Sequence, residues 1–182
     1  MMLRRLQATL LLILCSVLIV PSVQAASRQE INAKVQEALN NLYSTSSSGK
    51  RLAQKAVGVL VFPEVIKAGF GIGGEYGEGA LLRGGKTHSY YNLVSASVGL
   101  QFGAQMKSEV ILFMTQGAMN RFLNSDGWEA GVDGSVAVAT LGAGGEIDSQ
   151  TAQQPIIGFI FSNKGLMYNL TIEGAKITRI ER

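Results

Sequence analysis

The sequence has one cysteine and one histidine in 182 residues. The cysteine, Cys15, lies inside an N-terminal apolar run, with Leu14 before it and more apolar residues after it. A lipid-modified bacterial cysteine normally follows a small residue and opens the mature chain, and Cys15 fits neither condition. Beyond Cys15 there is no thiol, which excludes disulfides, thiolate metal sites and a cysteine nucleophile. The lone His88 cannot build a histidine-rich metal site. As a triad base it lacks a recognisable nucleophile elbow. Glu75 with Glu78, and Glu146 with Asp148, are the nearest approach to paired carboxylates. Neither set has EF-hand spacing, and acids this close on a strand are expected to be solvated. The chain therefore reads as no enzyme, with no cofactor and no metal.

An excess of one charge is also missing. The chain has 16 Lys and Arg against 13 Asp and Glu. Arg4 and Arg5 stand before the apolar run Leu10–Val20, and Val23-Gln24-Ala25 places small residues three and one before a cut. That is the pattern of a secretory signal peptide. The run is about 11 residues, short of the roughly 20 that span a bilayer. Residues 1–25 are accordingly expected to be removed, leaving a periplasmic or secreted chain, at most peripheral to a membrane. Without Arg4 and Arg5 the basic count falls from 16 to 14 against 13 acids, a net of +1. The sequence pI of about 9.1 is then no argument for nucleic acid. Residues 26–182 suit a single domain held together by its core.

Ser27 and Glu30 have capping-box spacing, and Ile31, Val35, Ala38, Leu39 and Leu42 follow at helical period. These predict a helix over 28–43 docked on the body, then a polar hinge over 44–49. Residues 50–56 predict a short helix with Lys50, Arg51 and Lys55 on one side. Most of the rest reads as strands: 57–62 closed by Pro63, then 66–83, 88–106, 108–114, 129–148, 155–161 and 165–180. Gly84-Gly85 and residues 162–165 are turn signals. Thr115 caps a helix over 116–123, which stops near 124–127. No strand–helix–strand alternation is present, so an antiparallel sheet is expected. The fold class is α+β: a bent antiparallel β-sheet, sandwich-like or partly barrelled, with an N-terminal helix and a few short helices.

Gly69, Gly71 and Gly74 match the spacing of a dinucleotide-binding turn. That turn needs a strand leading straight in, a helix leaving, and an acid about 20 residues later. Residues 63–67 separate the preceding strand from the glycines, Gly77 and Gly79 weaken any helix, and residues 80–108 hold no acid. The period of two fits better. One face is Gly69, Gly71, Gly73, Glu75, Gly77 and Gly79. The other is Phe70, Ile72, Gly74, Tyr76, Glu78 and Ala80. Ser95, Ser97, Gly99, Gln101 and Gly103 oppose Ala96, Val98, Leu100, Phe102 and Ala104 in the same way. Bulky faces are expected to build the core. A row of glycine marks close approach by something else. That is either a packed helix or second sheet of the protein itself, or an elongated apolar ligand in a smooth trough.

The segment 56–63, then 67–74 with Tyr76, Gly77 and Gly79, resembles the SYLF domain family. So do residues 162–166 followed by 170–174, with Trp128 and 142–145 in suitable order. The resemblance covers roughly residues 50–182, with 26–49 as the N-terminal helix and hinge. It implies a lipid- or membrane-binding module and no catalysis. Eukaryotic members bind phosphoinositide-containing membranes and some bind actin. An exported bacterial chain argues against actin as a partner, and the short mixed-charge helix here departs from their amphipathic one.

The site expected on these grounds is Lys50, Arg51, Lys55 and Lys67 for anionic headgroups, with Gly69, Gly71 and Gly73 lining a docking face. The partner is an anionic phospholipid or membrane surface. The alternative is an envelope protein partner, with the small face filled by the protein's own helix. No nucleic acid is implied.

Overall fold

The structure is a computed structural model describing residues 26–139, 147–162, 165–166, 172 and 174–182, with backbone alone for residues 69–72, 97–104, 162 and 165–166. Residues 1–25, expected to be a signal peptide, together with residues 142–145, Glu146 and most of 162–174, lie outside it or are described only in part.

Helix α1 spans Arg28–Thr45, and the Ser27 side chain accepts from the Glu30 N–H, as the capping-box spacing requires. Helix α2 follows at Ser47–Lys55 after the single residue Ser46, whose side chain caps it. The expected hinge is thus one residue, because a serine there caps the next helix instead of loosening the chain. Helix α3 spans Gln116–Asn124 under a Thr115 cap.

Two strands dominate the sheet. β1 runs Gly58–Arg83 and β2 runs Lys86–Phe113, paired antiparallel along their whole length. Gly84 and Gly85 join them in a two-residue turn with φ of +56° and +76°, conformations that favour glycine. Pro63 does not close the first strand as expected. It sits at a register shift between Phe62 and Val65, on a strand whose only described partner is β2. An edge strand tolerates a missing N–H. Ser108 donates to the Pro63 carbonyl at 2.6 Å across that shift.

β3 (Trp128–Glu129), β4 (Ala137–Val138), β5 (Ile156–Ser162), β6 (Gly165–Leu166) and β7 (Lys176–Ile180) complete a seven-stranded sheet. The second edge of β2 carries β7 along Tyr90–Val94 and β5 along Ser108–Phe113. β4 pairs with β5 in parallel, so the sheet is mixed, not purely antiparallel. The strand expected over 129–148 is reduced, among the described residues, to β3 and β4. The whole is α+β, with the sheet bent into a half-barrel.

The inner face of the bend holds one core. Leu60, Phe62, Val65, Leu81, Tyr91, Leu93, Ile111 and Phe113 meet Met119 and Phe122 of α3, with Trp128. Phe122 stacks obliquely 4.8 Å from Phe113 and meets Trp128 edge-on at 5.7 Å. The outer face holds the second core. There Ile31, Val35, Ala38, Leu39 and Leu42 of α1 cover Val61, Ala80, Leu82, Val110 and Leu112. Burying each large apolar side chain of this stripe contributes about 1.5–3 kcal/mol, which is what docks α1.

Candidate functional site

Between its two packed ends the β1–β2 ribbon curls back on itself. A Cβ on Gly79 would lie 2.0 Å from the Val61 carbonyl oxygen, and one on Gly77 2.8 Å from that of Glu64. The two halves of β1 therefore touch backbone to side-chain position, and only glycine permits it. These glycines face the strand's own first half, not a helix: α1 docks on the opposite, outer face. The dinucleotide motif likewise resolves into strand, since β1 continues through the glycines to Arg83.

The curl encloses charge. Lys67 Nζ lies 3.2 Å from Glu75 Oε1, and Lys107 Nζ lies 2.8 Å from both Glu75 Oε2 and Glu109 Oε1. The Lys107 and Glu109 side chains are 3% and 1% exposed. Burial works against the Lys107 cation, but the carboxylates of Glu109 and Glu75 outweigh it and hold the ammonium above its ordinary range. For Glu109 burial dominates over the opposing Lys107 charge, so its carboxyl is pushed up. Two cations and two anions make the set neutral. Sequence spacing gave no sign of it, because the partners meet only through the curl. Glu75 and Glu78, expected in solvent, are both buried or half-buried and paired. Glu78 binds Arg182 and accepts from the Tyr76 hydroxyl at 2.7 Å.

The sequence-predicted cations divide. Lys50, Arg51 and Lys55 are exposed on α2, opposite its buried Ser48, Gly49 and Ala53. At 100° per residue they span an arc of about 140°. Among the described residues none of the three makes an ion pair. Lys67 instead points into the curl, onto Glu75. Of the predicted glycines, Gly69 pairs with Gly103 and Gly73 with Ser97 in the ladder. Gly71 lies at the register shift between Phe70 and Ile72, and its surroundings fall outside the described side chains. Within the curl that face carries Lys67, Glu75 and Lys107, so its described part there is charged and does not form the smooth apolar trough that was one of the two readings.

The bulky face also departs from expectation. Instead of building core along its length, it is exposed at both ends of the curl. Ile66 and its cross-strand partner Met106 are 47% and 52% exposed, and Tyr76 and its partner Val94 are 46% and 48% exposed. A cleft of about 300 Å³ beside them is lined by Ile66, Tyr76, Glu64 and, from the α1 end, Ala26, Glu30 and Lys34. Lys34 bridges Glu30 and Glu64 there, at 3.0 and 2.8 Å.

His88 is exposed, its Nδ1 3.0 Å from the Ser89 hydroxyl. Tyr90 is held by Asn32 of α1 and Tyr91 is buried in the inner core. Among the described residues no cluster of His, Cys, Asp and Glu suits a metal, and no helix is long and apolar enough to cross a membrane.

Residues 94–181 match the family model described as Ysc84, Las17-binding protein actin regulator. The matched stretch starts in β2 and takes in everything after it, so it is independent of the glycine run of β1. No curated protein matches the chain.

Proposed function

On the premise that residues 94–181 belong to the SYLF (Ysc84) family, we propose that this protein is an exported, non-catalytic module that binds an anionic lipid surface. Family membership implies binding of lipid or protein in general; the lipid reading is carried by the exposed face of α2. Lys50, Arg51 and Lys55 lie together there, with no acid paired to them among the described residues. Each cation near an anionic membrane contributes about 1 kcal/mol, so three give weak, salt-sensitive attachment. Lys67 adds nothing to this face, since its charge is spent on Glu75. Helix α1 serves as packing for the sheet, leaving α2 as the electrostatic contact.

The test is co-flotation with anionic vesicles of the parent and of Lys50→Glu with Lys55→Glu. The exposed positions predict an unchanged fold and a bound fraction that drops and loses its salt dependence. A binding curve that does not move removes the α2 face from the account.

A further inference from the structure

The curled part of the ribbon has its polarity reversed relative to a water-facing sheet. Its inner side carries the half-buried Lys67 and the buried Glu75, Lys107 and Glu109, all paired. Its outer side carries Ile66, Met106, Tyr76 and Val94 in the open. A sheet in water buries its apolar face and solvates its charges; a sheet against lipid alternates apolar-out and polar-in. We propose that the outer face of this curl seats in the headgroup–acyl boundary of a lipid surface, with Ile66, Met106, Tyr76 and Val94 as the inserting side chains. The proposal rests on the lipid-surface reading above and gives it an apolar contact that the lysines do not provide.

Four observations favour lipid as the occupant. First, the cross-strand pairs Ile66–Met106 and Tyr76–Val94 put four large, roughly half-exposed apolar side chains on one face of the ribbon, and such grouped exposure marks an interaction surface. Second, α1 covers this same outer face at Val61, Ala80 and Leu82 but leaves Ile66, Tyr76, Val94 and Met106 exposed. The uncovered apolar surface thus continues a buried one, beside the cleft that Ile66 and Tyr76 line. Third, the enclosed charges sum to zero and are paired, so entering a low dielectric strands no net charge. Fourth, Tyr76 exposes its ring while its hydroxyl is held by Glu78, the amphipathic arrangement aromatic residues adopt at membrane interfaces. Lys34 and Glu64, charged and partly exposed beside Ile66, limit the depth: the curl seats at the boundary.

Single cysteines at Ile66, Val94 and Met106, in a Cys15→Ser background, carry an environment-sensitive fluorophore. A label at Val132, exposed and outside the ribbon, is the control. The probe is a vesicle of anionic phospholipid containing a quencher at a shallow acyl position. The three ribbon labels are expected to blue-shift and be quenched, and the Val132 label to do neither. Ile66→Gln with Met106→Gln, uncharged changes at half-exposed positions, is expected to lower vesicle affinity at least about tenfold at high salt. Flotation of the protein with all three ribbon labels unquenched overturns the inserted curl and leaves the lipid-surface reading standing. Absence of flotation in low salt overturns both.

Discussion

Lys67 and Glu75 lie on the same strand, eight residues apart, and their charged atoms are 3.2 Å from one another. On a flat strand that separation is about 26 Å. The distance measures the curl of the β1–β2 ribbon directly. It also explains the alternation of small and bulky residues: the inside of a tight bend has room for glycine and for a few paired long side chains, and the outside takes the bulk.

Close approach within β1 sets the first expectation. Gly79→Ala places a methyl against the Val61 carbonyl, where backbone and not a flexible side-chain tip must move. A loss of about 3 kcal/mol or more is expected in urea unfolding. Gly74→Ala, on the other face, meets only the Ser95 carbonyl at 3.4 Å and is expected to be neutral or to stabilise by up to about 1 kcal/mol. Equal effects at the two positions would rule out the bend as drawn.

Lys107 is the hub of the enclosed charges. Lys107→Met leaves Glu109 buried without its cation, and a cost of about 3–5 kcal/mol is expected. Adding Glu109→Leu removes that stranded charge, so the double variant should recover much of the loss. A double variant no more stable than the single would show that the two side chains are not coupled.

The raised carboxyl of Glu109 makes stability depend on pH. In the unfolded chain the group loses its proton near its ordinary 4.5, while the folded protein holds it to higher pH. The stability it contributes is therefore fully present below pH 4.5 and is lost as pH rises through the folded value. Lys107, also raised, contributes below pH 10.5 and loses that contribution only above it. Urea midpoints of the parent are expected to fall, relative to those of Glu109→Gln, as pH goes from 4.5 toward neutrality. Parallel profiles for the two proteins would show that Glu109 titrates as it does in water.

Much of the fold is legible in the sequence. Ser27 and Thr115 mark two helix starts because a hydroxyl at that position satisfies a free amide. Gly84-Gly85 marks the hairpin because both residues need positive φ. Lys50, Arg51 and Lys55 follow from helical period alone. The curl is not legible. Period-two alternation assigns residues to faces but does not say which face turns inward once the strand bends, so bulky residues were expected in the core. Pro63 misleads for a related reason: it ends a strand only where its N–H is needed, and β2 is the only partner of β1 among the described residues. Lys67 shows the limit most clearly. Its place in a basic cluster follows from sequence proximity, and its place beside Glu75 follows from a bend that no local pattern encodes.

The most direct test of the lipid-surface reading is flotation of residues 26–182 with zwitterionic and anionic vesicles at low and high salt. The account predicts binding to anionic vesicles only, weakened by salt as the α2 contact is screened, with a salt-resistant remainder from the apolar face of the curl. No binding to either vesicle at low salt would contradict it and favour the envelope-protein alternative.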